Sequence, residues 1–238
     1  MKNLVKSSAF LVFMGTFLFS CEKEKLVFND SDQNENIISE SQELEKSQLS
    51  DDYIYIQDNI VIEESQIDLE NDNTTLVYDE NSHNVYVFDN DEKVLEWAIS
   101  QNTEFSNSVL ESLNKLVLLQ KYIAENNIED YYDQTGSTPE EYDLFFENLF
   151  GIGGKSSINI LHDQPNASIS GSIWAPVSYP KLSTVNFNNK TSAVSIAVSA
   201  LWLCKNNWYG GSKAFFGALA KTYQNIAFNN VASSIIKL

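Results

Sequence analysis

The carboxyl-terminal part of the chain contains one segment twice. FNNKTSAV, residues 187–194, returns 41 residues later as FNNVASSI, residues 228–235. A glycine precedes each copy, and these glycines, Gly171 and Gly211, lie 40 residues apart. Residues 156–238 also alternate small and β-branched residues, with turn residues at short intervals, which is typical of β-strands. The sequence therefore predicts a duplicated all-β unit at the carboxyl end.

This repeat resembles the βγ-crystallin family. The Greek-key motifs of that family carry an aromatic-x4-aromatic-x-Gly hairpin and, in calcium-binding members, the loop (N/D)-(N/D)-x-x-(S/T)-S. Residues 229–234 match that loop in full, whereas residues 188–193 have alanine at the sixth place. Cys204 replaces the first aromatic residue of the second hairpin, and Gln164 stands at the corresponding place of the first. The resemblance implies a βγ-crystallin-like Greek-key sandwich over residues 156–238.

Calcium binding is what the resemblance implies for these two loops. Ca²⁺ prefers about six to eight oxygen ligands, and an Asn-Asn turn followed by serine offers amide oxygens, a hydroxyl and a backbone carbonyl. Both repeats would hold each ion, through a loop carbonyl, a serine hydroxyl, and an asparagine oxygen and a hairpin carbonyl from the other repeat. The implied site residues are Asn188, Asn189, Lys190, Ser192, Asn229, Asn230, Val231 and Ser233.

The loops contain no carboxylate, so we expect weak calcium affinity at up to two sites, with dissociation constants of ~10⁻⁴–10⁻³ M as in extracellular modules. The alternative is that both loops are ordinary turns, held by side-chain to backbone hydrogen bonds in a fold that needs no metal. The positive charge of the carboxyl-terminal region opposes calcium binding, while the acidic region before it could restore a favourable field.

Charge divides the chain into two regions. Residues 22–150 hold 6 Lys and 32 Asp or Glu, a net charge of −26, whereas residues 151–238 hold 7 Lys and one acid, Asp163, a net charge of +6. The chain has no arginine and an overall net charge of −18. Nucleic acid is therefore excluded as a partner, because phosphate binding needs Lys and Arg in excess. The acidic region is either independently solvated or docked electrostatically on the basic one.

The acidic region predicts short strands followed by helices. Four segments have strand patterns, 53–56, 59–62, 75–78 and 84–88. Three helical segments follow, which begin at Asn90, at Asn107 and at a capping box at Thr138 with proline at N1. The fold class expected overall is α+β. A Gly-rich hinge, residues 151–155, is expected to separate the acidic α+β region, residues 53–150, from the crystallin-like domain.

The amino terminus has the organisation of a bacterial secretory signal. Two lysines precede an apolar stretch, residues 9–19, that is too short to span a membrane. LFSC, residues 18–21, resembles a lipobox whose cysteine, here Cys21, is diacylated, although Phe19 replaces the usual small residue. The alternative is a plain signal peptide cut elsewhere. Residues 1–21 are thus the predicted signal peptide, and a flexible polar tether follows.

The tether, residues 22–52, would hold the folded part away from the membrane. These features predict a lipoprotein anchored to a bacterial membrane through the lipid on Cys21, at the outer membrane or the cell surface.

Motifs for catalysis are scarce. His83 and His162 have no cysteine or acid at the spacing of zinc ligands, and no nucleophile elbow occurs. GGKS, residues 153–156, lacks the first glycine of a phosphate-binding loop. We therefore expect a binding or structural protein and not an enzyme. Two alternatives are a protease inhibitor of the crystallin-like type, and a surface protein that binds a protein or glycan through residues 53–150.

Overall fold

The computed structural model describes residues 53–79, 81–151, 159–168, 170–175, 177–197, 199–218 and 220–238. The predicted signal peptide with Cys21, the predicted tether and most of the predicted hinge lie outside these residues. The described residues belong to one compact unit, Ser47–Leu238. None of the helices within the described ranges has the length and apolar character needed to cross a membrane.

Within the described ranges, four strands precede four helices in the acidic region, and seven more strands form the repeat. The acidic region contains β1 (Ile54–Gln57), β2 (Ile60–Ile62), β3 (Thr75–Tyr78), β4 (Asn84–Phe88), α1 (Asp91–Gln101), α2 (Glu104–Glu125), α3 (Ile128–Thr135) and α4 (Glu140–Phe150). The repeat contains β5 (Asn159–His162), β6 (Ile173–Ala175), β7 (Ala193–Ile196), β8 (Leu201–Cys204), β9 (Lys213–Phe216), β10 (Lys221–Tyr223) and β11 (Ser234–Lys237). Three short 3-10 turns occupy Glu64–Gln66, Leu182–Val185 and Asn207–Tyr209.

The strands form two sheets. The larger has seven strands in the order β11-β8-β9-β3-β4-β1-β2, and the smaller has four in the order β10-β7-β5-β6. The two copies of the repeat exchange strands: β10 of the second copy pairs with β7 of the first, and Tyr179 of the first bridges Ile235 in β11 of the second. This exchange makes the repeat a two-motif Greek-key sandwich, so the predicted fold of this region and the α+β class are confirmed.

The acidic region and the repeat share the larger sheet. β3 runs parallel to β9, with Val77 opposite Phe215 and Tyr78 opposite Phe216. The hinge predicted at residues 151–155 therefore does not separate two independent cores, because strands from either side of it are hydrogen-bonded to each other. Composition and charge change at this point of the sequence, but the hydrogen-bonded sheet continues across the two regions.

The larger sheet lies between two apolar cores. Successive side chains of a strand point to opposite faces. On one face, Leu76 and Phe216 belong to a core with Leu161 of the smaller sheet. On the other face, Trp202 belongs to a core with Leu116 of α2. The molecule thus has three layers, which are the helices, the seven-stranded sheet and the four-stranded sheet.

Side-chain caps set the start of the first two helices. Asn90 accepts a hydrogen bond from the Lys93 N–H at 3.0 Å, as predicted for the start of α1. α2 begins three residues before the predicted start at Asn107, because Thr103 and Ser106 cap each other reciprocally. A serine at the N3 position replaces the usual Glu or Gln of this motif, which explains why the sequence pattern did not reveal it.

The last two helices differ from the prediction. α3 was not predicted, and its C-cap, Gly136, has a left-handed φ of 74°. The capping box predicted at Thr138 does not form, because Pro139 occupies the N-cap position of α4. The Thr138 hydroxyl instead donates to the Asp143 carboxylate at 2.7 Å. Residues 138–143 therefore still begin a helix, but with a different hydrogen bond from the one expected.

Opposite charges meet where the repeat contacts the acidic region. Three lysines of the repeat each pair with an acid of residues 53–150, in the ion pairs Lys181–Asp133, Lys205–Glu70 and Lys213–Asp91. The Lys213 side chain is only 4% exposed, and its Nζ lies 2.8 Å from Asp91 Oδ1. A buried ammonium needs such a partner, because burying an unpaired charge is costly. Electrostatic pairing therefore contributes to the docking of the two regions.

Tyr78 connects the acidic region to the second copy of the repeat. It is fully buried, and its ring stacks on Phe216 with the ring centres 4.5 Å apart. Its hydroxyl oxygen accepts a hydrogen bond from the Ala227 N–H at 2.9 Å. Burial raises the pKa of Tyr78, so the hydroxyl stays neutral at ordinary pH.

Tyr78→Phe is predicted to lower the free energy of unfolding by about 1–3 kcal/mol, because the buried Ala227 N–H loses its acceptor. Urea titrations followed by tryptophan fluorescence and by far-UV circular dichroism measure this loss. The two probes should report one transition, since the cores share a sheet. Tyr131→Phe, at an exposed tyrosine of α3, is the matched control. Separate transitions, or a Tyr78→Phe midpoint equal to the control, would contradict the shared fold.

Candidate metal centre

The two repeat loops lie against each other. The Asn189 N–H donates to the Ala232 carbonyl at 2.9 Å, and the N–H of the equivalent Asn230 donates to the Thr191 carbonyl at 2.8 Å. Both asparagines have left-handed backbone angles, with φ of 52° and 55°. Asparagine tolerates this conformation better than most residues do. The duplicated sequence therefore folds into two equivalent turns that are hydrogen-bonded to each other.

Each loop is anchored to the first strand of its own copy. The Ser192 N–H donates to the carbonyl of His162, the last residue of β5, at 2.7 Å. The Ser233 N–H donates in the same way to the carbonyl of Cys204, the last residue of β8, at 2.9 Å. The hydroxyls of the two predicted site serines are thus placed beside the ends of these strands.

The serine hydroxyl of each loop contacts an asparagine of the other loop. Ser192 Oγ lies 2.6 Å from Asn229 Oδ1, and Ser233 Oγ lies 3.1 Å from Asn189 Oδ1. The structure therefore brings a serine of each copy to an asparagine of the other. These serines and asparagines are among the residues that the resemblance implied for an ion shared by both repeats, which stays a prediction.

Oxygen atoms are concentrated around Ser192. Its hydroxyl lies within 3.5 Å of four acceptors, which are the carbonyls of Asp163 (3.1 Å) and Lys190 (3.5 Å) and the amide oxygens of Asn229 (2.6 Å) and Asn230 (3.4 Å). One hydroxyl hydrogen can serve only one of these acceptors well. Oxygens bound to one Ca²⁺ at about 2.3–2.6 Å lie roughly this far apart, so the donor set fits that ion.

Further oxygens beside the first loop lack hydrogen bonds. Asp163 Oδ1, Asn188 Oδ1 and Thr191 Oγ1 are all buried, and none has a hydrogen-bond partner within the part of the chain that the structure describes. Buried polar atoms are nearly always paired, so three such atoms in one small region are unusual. Two of these atoms belong to the first loop, and the third belongs to the residue whose carbonyl contacts Ser192.

Asp163 is the site residue that sequence analysis did not identify as a ligand. It follows His162, so its carbonyl belongs to the hairpin of the first copy, whereas the resemblance implied a hairpin carbonyl from the other repeat. Its carboxylate packs against Gly171, where an added Cβ would lie 2.0 Å from Asp163 Oδ2. The hydrogen bond from the Ser192 N–H to the His162 carbonyl was the signal that could have pointed to Asp163, the residue that follows His162.

The second loop has a different electrostatic environment. Lys205 follows Cys204 as Asp163 follows His162, while the side chain nearest to the equivalent glycine, Gly211, is that of Asn206. Lys205 Nζ lies 2.8 Å from Glu70 Oε2 and 3.0 Å from the Leu69 carbonyl. Within the described ranges, Ser233 Oγ contacts a single acceptor, Asn189 Oδ1. The residue after the anchoring strand is therefore an acid in the first copy and a lysine in the second.

Other metal-binding chemistry has no support in the described ranges, where no group of three or more His, Cys, Asp or Glu side chains could hold a metal ion. Cys204 is fully buried, and burial raises the pKa of its thiol to about 12. A thiol with this pKa is protonated at neutral pH and is neither a ligand nor a nucleophile.

Comparison with known proteins gives two structural likenesses. No family model matches the sequence, and no curated protein matches it. A βγ-crystallin from an archaeon superimposes with a TM-score of 0.31 at 21% identity, covering 34% of this chain and 98% of that chain. A structure from work on the evolution of the eye lens βγ-crystallin domain fold gives a TM-score of 0.32 at 17% identity, covering 37% of this chain and 93% of that chain.

Gly171→Ala is predicted to destabilise the protein more than Gly136→Ala does. Both glycines have left-handed angles, with φ of 79° and 74°, so both variants lose about 1 kcal/mol to backbone strain. Only at Gly171 would the new methyl group also collide with the Asp163 carboxylate, which adds about 1–3 kcal/mol. Urea titration of the two variants measures the difference. Equal losses would show that Asp163 does not pack tightly there.

Proposed function

We propose that this protein is a membrane-anchored, extracytoplasmic lipoprotein whose β-sandwich binds Ca²⁺ weakly between the two repeat loops. The observation that carries this proposal is the set of four acceptor oxygens around Ser192 Oγ. A hard divalent cation would neutralise these lone pairs, which one hydroxyl hydrogen cannot do.

The proposed ligands come from both copies of the repeat. The first copy would supply the carbonyls of Asp163 and Lys190 and the hydroxyl of Ser192, and the second would supply the amide oxygens of Asn229 and Asn230. Water completes the roughly six to eight ligands that Ca²⁺ takes. With no carboxylate among these five ligands, the expected dissociation constant is ~10⁻⁴–10⁻³ M.

The second loop is proposed to bind more weakly than the first. The residue after the anchoring strand is Asp163 in the first copy and Lys205 in the second, and a nearby positive charge disfavours a bound cation. The pairing of Lys205 with the exposed Glu70 reduces this repulsion only in part, because exposed ion pairs are well solvated. Of the two sites that the duplicated loops allow, the site at Ser192 is therefore the principal one.

A bound ion would tie the two copies of the repeat together and stabilise the sandwich. A ligand that binds only the folded state adds stability in proportion to the logarithm of its concentration over its dissociation constant. The role we propose is therefore structural or adhesive, with calcium stiffening a module that the tether holds away from the membrane. Acids of residues 53–150 contribute a favourable field at longer range.

Calcium is predicted to raise the thermal midpoint of the full chain, purified in detergent. At about 10 mM Ca²⁺ and a dissociation constant of about 1 mM, the gain is about 1.4 kcal/mol, or roughly 3–6 °C. Differential scanning fluorimetry against a chelator measures the shift, with Mg²⁺ as the ionic control. No shift in the unmodified protein would overturn the calcium proposal.

Two matched serine variants locate the ion in the same assay. Ser192→Ala should lose most of the calcium-dependent shift, whereas Ser233→Ala, the same change at the equivalent position of the second loop, should retain most of it. Each shift is measured against the variant's own chelated sample, so a general loss of stability cancels. A larger loss in Ser233→Ala would overturn the assignment to the first loop.

The lipid anchor is tested at Cys21. When the full chain is expressed in a bacterium fed with labelled palmitate, the protein should take up label and fractionate with membranes. Cys21→Ser should remove both properties, because the thiol that carries the lipid is lost. Cys204→Ser is the matched control, since that thiol is buried. Label that persists in Cys21→Ser would contradict the anchor.

A further inference from the structure

A histidine and a serine form a close pair on the outer face of the smaller sheet. His162 Nε2 lies 2.8 Å from Ser195 Oγ, although the two residues are 33 positions apart in the sequence. β5 and β7 are paired with Ile160 opposite Ser195, so His162 and Ser195 point to the same face. His162 is 3% exposed, while Ser195 is half-buried.

The surrounding hydrogen bonds determine which ring nitrogen carries the proton. The Ser172 hydroxyl donates to the Ser168 carbonyl at 2.7 Å, so its oxygen is left to accept from His162 Nδ1, which lies 2.7 Å away. Nδ1 therefore carries the hydrogen, and Nε2 accepts from the Ser195 hydroxyl. Thr222 Oγ1, at 3.0 Å from Ser195 Oγ, is then the donor of that bond.

We propose that Ser195 is a nucleophile, activated by His162 as general base, that accepts acyl groups from small apolar esters. The arrangement has the three elements of an activated serine: a nucleophile within hydrogen-bond reach of a base, and a base oriented by a further group. The orienting group is the Ser172–Ser168 pair in place of a carboxylate. This activity goes beyond calcium binding and involves different residues.

The reaction needs only the ester and water as reactants. Ser195 Oγ attacks the ester carbonyl as its proton moves to His162 Nε2, while the Thr222 hydroxyl, which donates to Ser195 Oγ, holds that oxygen in position. The bond to the leaving alkoxide then breaks, and His162 returns the proton to that oxygen. Water, deprotonated by His162, next attacks the acyl-serine, the bond between the acyl carbon and Ser195 Oγ breaks, and His162 returns the proton to Oγ as the carboxylic acid leaves.

An apolar surface next to Ser195 indicates the class of ester. Ile160 lies opposite both Ser195 and Trp174, on the two neighbouring strands, so the three side chains form a row across the outer face. Trp174 is 62% exposed. Two strand spacings separate Trp174 from Ser195, about 10 Å, which a medium-length acyl chain can span.

The first test uses the full chain in detergent with p-nitrophenyl octanoate. Nitrophenol release should begin with a burst of about one equivalent, and mass spectrometry of the digested protein should place the octanoyl group on Ser195. Ser195→Ala should abolish the burst and the label, while Ser183→Ala, at an exposed serine of a 3-10 turn, should retain both. Label spread over lysines and other serines, or unchanged in Ser195→Ala, would overturn the proposal.

Two further variants test the roles of the base and the apolar row. His162→Gln should slow acylation by about 100-fold or more, the usual range for loss of a general base. Trp174→Ala should slow the octanoyl ester and leave the acetyl ester unchanged. Thermal melts establish that each variant is folded. The position of the octanoyl group is mapped on the unmodified chain, so this result does not depend on whether a variant folds. Equal reactivity of the two esters in the unmodified chain would overturn the apolar subsite.

Discussion

β9 would be an open edge of the larger sheet if the repeat stood alone, and its parallel pairing with β3 closes that edge. An open edge exposes unpaired N–H and C=O groups to other chains. The pairing also places Tyr78 on Phe216 and brings Asp91 to the buried ammonium of Lys213. Both cores and the three-layer arrangement depend on this contact, because it makes the acidic strands a continuation of the sandwich.

The two loops are unequal although they share one repeated sequence. Their backbone hydrogen bonds are equivalent, and each serine reaches an asparagine of the other copy. The difference lies in the residues that follow the anchoring strands, because Asp163 packs beside Gly171, whereas Lys205 pairs with Glu70 of the acidic region. Within the described residues, a duplicated sequence thus gives the serine hydroxyl of one loop four acceptor oxygens and that of the other a single one.

Much of the local structure could be predicted from the sequence. The strand segments before Asn90, the cap on α1, the Greek-key repeat and the meeting of the two loops all follow from patterns of a few residues. The errors have physical causes. α2 starts early because a serine takes the usual place of Glu or Gln in its cap, and the box at Thr138 fails because Pro139 itself occupies the N-cap.

The sequence by itself determined the duplication, and with it the two asparagine turns, because equal segments adopt equal local geometry. Only the tertiary structure decided that the acidic strands join the same sheet, that Asp163 adds its carbonyl to the first loop, and that His162 meets Ser195. These contacts join residues far apart in the chain, and their partners depend on strand order and register, which short-range patterns do not encode.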